Sequence, residues 1–204
     1  MFHVKHEAWA GQARDMGVEL DVAALQRVDQ FATLLLERAI PAGMIAPSDA
    51  ARLFERHVLD GLRAVPHLGA AVSLIDAGSG AGIPGVPIAV ARPDLAVTLL
   101  EPRRQRVAFL ELVRDDLGLT SVTVRHGRAE SVDDRADVVT ARALGDASAT
   151  WEATARLLTA GGRVFYWAGG TFDPRRDRPA GASVELITTI GVAMPGPIAI
   201  MAPM

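Results

Sequence analysis

The chain has 204 residues, half of them hydrophobic, and a formal net charge of −3 from 21 basic and 24 acidic side chains. This charge excludes a polycation that coats nucleic acid by bulk attraction, and the hydrophobic content excludes an intrinsically disordered chain. The absence of cysteine excludes a disulfide scaffold, a thiolate metal site and a cysteine nucleophile.

The first 65 or so residues are predicted to be helical. Apolar side chains recur at helical spacing from Leu25 to Leu36, after a potential capping residue at Asp21, and Pro41-Ala42-Gly43 ends the run. A second helix is predicted from near Ser48 to just before Pro66. No strand is predicted in this part of the chain.

From residue 72 onward, predicted strands alternate with predicted helices, which is typical of a parallel α/β sheet. Two last strands have a turn and no helix between them, which predicts a terminal antiparallel hairpin. We therefore predict a helical N-terminal segment, residues 1–68, packed on a core domain of residues 69–204. The predicted strands are 72–76, 96–100, 122–124, 136–140, 163–167, 184–192 and 198–201, and the predicted helices are 83–91, 103–117 and 146–158, the last closed by Gly161-Gly162.

A glycine-rich loop, Asp76-Ala-Gly78-Ser-Gly80-Ala-Gly82-Ile-Pro-Gly85, follows the first strand and opens the first helix of the core. Open α/β sheets bind ligands at this edge, beyond the carboxyl ends of their strands. Two registers fit the loop. Glycines 78, 80 and 82 with Asp76 match the S-adenosylmethionine loop of Rossmann-like methyltransferases, whereas glycines 80, 82 and 85 match the dinucleotide fingerprint.

Charge favours the first register. A dinucleotide would place a pyrophosphate over the helix N-terminus, where the Asp76 carboxylate would repel it. The methionine end of S-adenosylmethionine carries an ammonium and a sulfonium, which a nearby carboxylate attracts. Glu101, at the end of the second strand, could bind ribose hydroxyls in either register. We therefore predict S-adenosylmethionine as the cofactor, bound by Asp76, Gly78, Gly80, Gly82 and Glu101.

Other candidate residues follow later strands. The loop after the third strand contains Ala129 and Glu130, whose backbone and carboxylate could recognise an adenine edge. Arg142 follows the fourth strand, where an arginine could clamp a phosphate or stack on a base. In the helical segment His57 and Asp60 lie three residues apart and could face the same way, as a local hydrogen-bonded pair or as part of a site. No set of side chains has the spacing of a metal site.

The basic residues are almost all arginine, since Lys5 is the only lysine among the 21. Arginine suits forked contacts with phosphate and stacking on bases. Several arginines lie near predicted strand ends on the ligand edge of the sheet, which predicts a local basic rim with modest, salt-sensitive binding of RNA. Ordinary solvated helix faces are the alternative. The RNA-binding candidates are Arg56, His57, Arg103, Arg104, Arg106 and Arg128, with Arg125 nearby.

Taken in order, these motifs resemble the bacterial 16S rRNA guanine-N7 methyltransferase family, also called RsmG or GidB. The resemblance rests on Arg56-His57-Val-Leu-Asp60, on the extended loop ending Ile-Pro-Gly85, on Leu100-Glu101, on Gly127-Arg-Ala-Glu130 and on Thr140-Ala-Arg142-Ala, and it spans about residues 2 to 168. It implies a Rossmann-like class I methyltransferase sheet, mostly parallel with a C-terminal antiparallel hairpin, and an N-terminal helical extension.

The resemblance also implies transfer of a methyl group from S-adenosylmethionine to N7 of a guanine in the 530 loop of 16S rRNA. Carried over residue by residue, the donor-binding positions are Gly78, Ile83, Ala129, Glu130 and Arg142. Guanine N7 carries no proton, so no catalytic base is assigned, and Arg142 is expected to position the target. The expected partner is 16S rRNA or the small ribosomal subunit, with no obligate protein partner. Without a membrane span or signal peptide, we expect a cytoplasmic protein.

The sequence departs from the family in three places. Gly61 replaces the usual Ser after Asp60, Ala168 stands where a Lys is frequent, and residues 170–182 form a Pro/Arg-rich loop in place of an expected helix. Three other readings stay open at this point. They are a methyltransferase acting on another RNA or a small molecule, a non-catalytic S-adenosylmethionine-binding protein associated with the ribosome, and a nicotinamide-dependent dehydrogenase.

Overall fold

The centre of the molecule is a seven-stranded sheet in the order β3-β2-β1-β4-β5-β7-β6, seen in a computed structural model that describes residues 2–187, 189 and 196–204. Strands β1 to β5 pair in parallel, while β7 pairs antiparallel with both β5 and β6. The predicted fold class, a mostly parallel α/β sheet with an antiparallel C-terminal hairpin, is therefore confirmed. The strands are β1 Ser73–Ala77, β2 Ala96–Glu101, β3 Val122–His126, β4 Ala136–Arg142, β5 Leu158–Trp167, β6 Ala182–Ile187 and β7 Ile198–Pro203.

Helices cover both faces of the sheet, because successive strand residues point to opposite sides and both sides are apolar. The α-helices are α1 Phe2–Asp15, α2 Val22–Leu34, α3 Asp60–Leu62, α4 Gly85–Ala91, α5 Arg104–Asp116 and α6 Ala147–Thr154. Leu74 and Val138 belong to one hydrophobic cluster, which also contains residues of the N-terminal helices and of α4 and α5. Ile75 and Val139 belong to a second cluster, which contains residues of α6.

The N-terminal segment is helical, as predicted, but its second part is not one continuous helix. Asp21 caps α2 by accepting a hydrogen bond from the backbone N–H of Ala24 at 2.7 Å. Residues 47–62 form a 3₁₀-helix, Pro47–Arg52, then a π-helix, Phe54–Leu59, and then the short α3. The ring of Phe54 stacks on Trp9 of α1 with centroids 4.0 Å apart. The segment shares a hydrophobic cluster with the sheet, and its boundary at residue 68 stays a prediction.

Two element boundaries differ from the sequence prediction. Strand β5 begins at Leu158 and includes Gly161 and Gly162, which were expected to close the preceding helix. The pairing of β4 with β5 shifts register between Ala136 and Val138, so the two glycines accommodate an irregularity in the strand. The predicted strand 184–192 is seen as β6 up to Ile187, and 188 and 190–192 lie outside the described residues.

In the described part of the chain, no helix combines the length and apolarity required to cross a bilayer. The carboxyl ends of β1, β2 and β4 lie side by side at one edge of the sheet. Every candidate residue that follows these strands is therefore placed at the same edge.

Candidate functional site

The loop after β1 is shaped by three glycines with positive φ angles, 72° at Gly78, 60° at Gly80 and 89° at Gly82. Other residues adopt this conformation only at an energetic cost. The backbone N–H groups of Gly78 and Ser79 donate to the carbonyl of Leu100 at 2.8 and 3.0 Å. The alternating glycines thus let the loop fold back onto the end of β2.

Asp76 holds this loop from beneath. Its side chain is almost completely buried, and one carboxylate oxygen accepts a hydrogen bond from Thr140 Oγ1 at 2.8 Å while the other accepts from the backbone N–H of Gly85 at 3.1 Å. Burial raises the pKa of Asp76 to about 6, against the lowering effect of the hydrogen bonds from Thr140, Ser79 and Gly85 and of the charge of Arg142. The carboxylate therefore connects β1, β4 and the start of α4. Direct contact with a methyl donor stays a prediction.

Glu101 holds the same loop from the side. Its buried carboxylate accepts hydrogen bonds from the backbone N–H of Gly80 and of Arg103, both at 2.9 Å, and Arg106 Nη1 lies 3.9 Å away. A carboxylate oxygen can accept more than one hydrogen bond, so these contacts leave capacity for hydroxyl donors. The geometry is compatible with the predicted binding of ribose at this strand end.

Arg142, the last residue of β4, connects the two motifs that are farthest apart in the sequence. Its Nη2 donates to the carbonyl of Arg56 at 3.0 Å and lies 3.4 Å from Asp60 Oδ2, and its Nη1 lies 3.3 Å from His57 Nδ1. Burial lowers the pKa of Arg142 from its ordinary value, and the charge of Asp60 opposes that effect. The Arg-His-x-x-Asp motif therefore surrounds the guanidinium at the ligand edge of the sheet.

His57 is a buried acceptor in this cluster. Its Nε2 lies 3.2 Å from Asp49 Oδ2, and its Nδ1 faces Arg142, which has only donors. Hydrogen bonding therefore assigns the neutral tautomer with the proton on Nε2. Burial, followed by the charge of Arg142, lowers the pKa of His57 below 6.5, which favours this neutral form.

The cluster continues away from the edge through Asp60. Its Oδ1 accepts from Arg63 Nη1 at 2.8 Å, and its backbone carbonyl accepts from Trp167 Nε1 at 3.1 Å. Arg63 is itself buried and donates to Thr189 Oγ1 and to the carbonyl of Gly196, both at 2.9 Å. Charges of opposite sign thus alternate from Arg142 through Asp60 to Arg63.

Two further predicted contacts lie close to this edge. Ile83 is buried, and its N–H donates to the carbonyl of Ser79 at 3.2 Å. Ala129 is buried in a 3₁₀-helix, Ala129–Ser131, where its carbonyl accepts from Arg156 Nη1 at 2.9 Å, while Glu130 is exposed to solvent.

The RNA-binding candidates fall into three groups. Arg103, Arg104 and Arg128 are exposed, and no carboxylate within the described ranges forms an ion pair with them. His57 is only 8% exposed, so the structure places it inside the cluster and away from the surface. The remaining candidates are partly engaged by acidic side chains, Arg56 with Asp49, Arg106 with Glu101 and Arg125 with Asp134.

Two positions at which the sequence departs from the family, Gly61 and Ala168, are closely packed in the structure. A Cβ atom at Gly61 would lie 3.2 Å from Cβ and Cγ of Pro87, so the close approach of α3 and α4 favours glycine. Ala168 is buried, and its backbone N–H donates to the carbonyl of Pro197 at 3.0 Å.

Several residues of the site escaped sequence reasoning. Asp49 binds both His57 and Arg56 from a neighbouring helix, and Thr140 binds Asp76 across two strands. Leu144 lies over the glycine loop, 3.0 Å from the position of a Cβ at Gly78. The contacts of Thr140 and Leu144 are long-range, whereas Asp49 and Arg63 had a local signal, because each lies at helical spacing from its partners.

Comparison with known proteins identifies one family. A model described as GidB, rRNA small subunit methyltransferase G, matches residues 24–173. A ribosomal RNA small subunit methyltransferase G of Neisseria meningitidis serogroup A is 39% identical over 154 residues, covering 75% of this chain and 73% of that protein. Another, of Acidothermus cellulolyticus, is 44% identical over 135 residues, covering 66% and 59%.

Solved structures share the fold at low sequence identity. A methyltransferase from Geobacter sulfurreducens superposes with a TM-score of 0.57 at 16% identity, covering 88% of this chain and 90% of that one. An SAH-bound methyltransferase from Podospora anserina gives 0.56 at 12%, covering 91% and 89%. The predicted Rossmann-like class I methyltransferase sheet is thus confirmed.

The space around Gly82 provides a first test. A Cβ at Gly82 would lie 2.7 Å from Val86 Cγ2, whereas a Cβ at Gly118, which also has positive φ, would meet nothing within 4 Å. Both Gly→Ala variants place an alanine at positive φ, 89° at Gly82 and 62° at Gly118, so the control accounts for most of the backbone strain and the remaining difference reports overpacking. We expect Gly82→Ala to lower the free energy of unfolding by about 1–3 kcal/mol more than Gly118→Ala, measured by urea denaturation. Equal losses would contradict the packing found around the loop.

The buried Asp76 carboxylate provides a second test, through pH. A carboxyl group whose pKa is raised by folding costs stability above that pKa, and the cost decreases as the pH falls from the folded-state pKa toward the group's ordinary pKa. Because the pKa of Asp76 is about 6, the hydrogen bond from Thr140 matters most when the group is charged. We expect Thr140→Val to reduce the free energy of unfolding by about 1.5–3 kcal/mol at pH 8 and by less at pH 5.

Thr154→Val is the matched control for this measurement. Thr154 is equally buried, but its hydroxyl donates to the carbonyl of Thr150 and contacts no carboxylate that the structure describes. Its effect should be the same at both pH values. A Thr140→Val effect that is also independent of pH would contradict the role assigned to Asp76.

Proposed function

The chain belongs to the rRNA small subunit methyltransferase G family, and we propose that it transfers the methyl group of S-adenosylmethionine to N7 of a guanine in the 530 loop of 16S rRNA. The observation that carries this proposal is the arrangement of Arg142, which lies at the ligand edge beside the glycine loop and is bound by the Arg-His-x-x-Asp motif. Two motifs that carry the family resemblance are therefore in direct contact, which supports their acting together. The small ribosomal subunit or its RNA would be the partner, in the cytoplasm.

The residues at the edge suit S-adenosylmethionine. The positive φ angles of the loop bring backbone close to the edge without intervening side chains, and the Glu101 carboxylate retains capacity for the ribose hydroxyls. When bound, S-adenosylmethionine supplies an electrophilic methyl group. The residues proposed to hold it are Asp76, Gly78, Gly80, Gly82, Ile83, Glu101, Ala129, Glu130 and Arg142.

The reaction at guanine N7 makes limited demands on the protein. N7 has a free lone pair and no proton, so no general base is required, unlike methylation of a hydroxyl or an exocyclic amine. The side chains must align the nucleophile with the methyl group and adjust the local charge. Arg142 is suited to alignment, because Asp60, His57 and the Arg56 carbonyl fix its guanidinium at the strand end.

Cells that lack this gene provide the test of function. We expect their 16S rRNA to lose one N7-methylguanine in the 530 loop, seen by mass mapping, and the wild-type gene to restore it. With purified protein, Arg142→Ala should methylate 16S rRNA at less than about one tenth of the wild-type initial rate, since a misplaced reactant can cost about 10²-fold. The control is Arg92→Ala, which removes an arginine paired with Asp94 away from the site. An unchanged map in the deletion strain would reject the N7 assignment, and a wild-type initial rate in Arg142→Ala would reject the role of Arg142.

The exposed arginines of the rim predict a salt dependence. Each arginine that contacts a phosphate of single-stranded RNA contributes about 0.7 to the slope of log affinity against log salt. We expect Arg104→Ala and Arg128→Ala each to reduce this slope for 16S rRNA and to leave S-adenosylmethionine affinity unchanged. Arg114→Ala, at the other end of α5 and paired with Asp115, is the control. An unaltered slope in both rim variants would exclude them from the RNA contact.

A further inference from the structure

A cavity of about 390 Å³ opens at the ligand edge on the side of the sheet that faces α6. It lies between the turn that follows Arg142 and the loop 170–182, the segment that departs from the family. We call it the base cavity and define it by Asp146, Tyr166, Gly169, Phe172, Arg176 and Asp177.

Two aromatic rings form one wall of the base cavity. Tyr166 and Phe172 meet edge to face, with centroids 6.2 Å apart and an interplanar angle of 65°. Phe172 is only half-buried, so part of its ring remains available to a ligand. Tyr166 Oη donates to the carbonyl of Gly145 at 3.1 Å, which fixes the turn between Arg142 and Asp146.

The two carboxylates of the cavity are not equivalent. Both Asp177 oxygens are bound by Arg176, at 2.7 Å each, and Oδ2 also accepts from the backbone N–H of Asp173 at 2.9 Å. Arg176 lowers the pKa of Asp177 to about 2, so the two residues form a neutral pair. Asp146 uses Oδ1 to cap α6, accepting from Ala149 N–H at 2.8 Å, and no group in the described part of the chain donates to its Oδ2.

The charge around Tyr166 agrees with this geometry. Burial, followed by the charges of Asp146 and Asp177, raises the pKa of the Tyr166 phenol, so both carboxylates lie within electrostatic range of the ring. The base cavity therefore combines an aromatic wall with one unneutralised acceptor. This chemistry suits a flat ring that presents hydrogen-bond donors, and it disfavours a phosphate, because the one arginine that lines the cavity is already paired.

Guanine has the required pattern. Its Watson–Crick edge carries the N1–H and N2–H₂ donors, which a carboxylate accepts, and N7 lies on the opposite edge of the purine. We propose, on the basis of the proposed function, that the base cavity holds the target guanine, with its ring against Phe172 and its N1–H and N2–H₂ edge on Asp146. Held in this way, the guanine turns N7 away from Asp146, and the proposal requires the methyl donor to lie on that side of the base.

Asp146 would also raise the rate of methyl transfer. The N7 lone pair forms a bond to the methyl carbon while the carbon–sulfur bond breaks and its electron pair goes to sulfur. The positive charge of the sulfonium is thereby transferred to the purine, and the product is a cationic 7-methylguanine. A carboxylate bonded to the purine stabilises this charge more than it stabilises the neutral substrate, which favours the transition state.

Asp146→Asn tests the proposal with little effect on folding, because asparagine caps a helix as well as aspartate does. Asp21→Asn is the matched control, since Asp21 caps α2 with the same contact at a site remote from the cavity. Calorimetric titration of the S-adenosylhomocysteine-loaded protein with 7-methylguanosine and with guanosine measures the preference for the cationic base. We expect the wild type and Asp21→Asn to bind 7-methylguanosine about tenfold more tightly, equivalent to about 1.4 kcal/mol, and Asp146→Asn to lose this preference.

Turnover on 16S rRNA provides the second measurement. We expect Asp146→Asn to lower kcat by about 10- to 100-fold with unchanged S-adenosylmethionine affinity, since removal of one preorganised transition-state contact costs up to about 10²–10³. Phe172→Leu, which removes the ring and retains an apolar side chain, should raise KM for the RNA.

The outcomes separate the two proposals. A wild-type protein that does not methylate 16S rRNA would reject the proposed function. Normal kcat in Asp146→Asn, or a wild-type protein that shows no preference for 7-methylguanosine or binds neither nucleoside, would overturn the assignment of the base cavity while the function stands.

Discussion

The site depends on one buried carboxylate. Asp76 lies at the end of the central strand β1, and its oxygens bind Thr140 on β4 and the first N–H of α4. Removing a carboxylate from water is costly unless hydrogen bonds replace the lost solvation, and here they offset burial only in part, leaving the pKa near 6. A Cβ at Gly85 would lie 2.8 Å from Asp76 Oδ2, so the same contact explains the last glycine of the loop.

The hydrogen bond between Thr140 and Asp76 also helps to determine the position of Arg142. Thr140 fixes β4 against β1, and Arg142 follows two residues later on the same face of the strand. The guanidinium then meets the helical N-terminal segment, where the Arg56 carbonyl, His57 and Asp60 surround it. The N-terminal segment therefore contributes to the ligand edge directly. The charge of Asp60 opposes the cost of burying Arg142, and Arg63 in turn neutralises Asp60.

Sequence reasoning predicted the parts of this arrangement that depend on local patterns. Alternating strands and helices, and the capping of α2 by Asp21, follow from periodicity and short-range hydrogen bonding. Boundaries shifted where tertiary pairing overrides local signals, as at Gly161 and Gly162, which lie inside β5 because β4 pairs with it irregularly. The bonds from Thr140 to Asp76 and from Tyr166 to Gly145 could not be predicted, because they join residues that no sequence periodicity relates.

The distribution of charge resolves the apparent conflict between an acidic chain and an RNA substrate. Many acidic side chains are buried and hydrogen-bonded or are neutralised in ion pairs, as is the case for Asp60, Asp76, Glu101 and Asp177. The exposed arginines at the start of α5 and beside Ala129 are not neutralised by the residues that the structure describes. Since screened charges act over about 8–10 Å, RNA bound at the ligand edge would sense this rim more than the net charge of the chain. The same rule applies in the base cavity, where pairing of Arg176 with Asp177 leaves Asp146 as the charge that a bound base would sense.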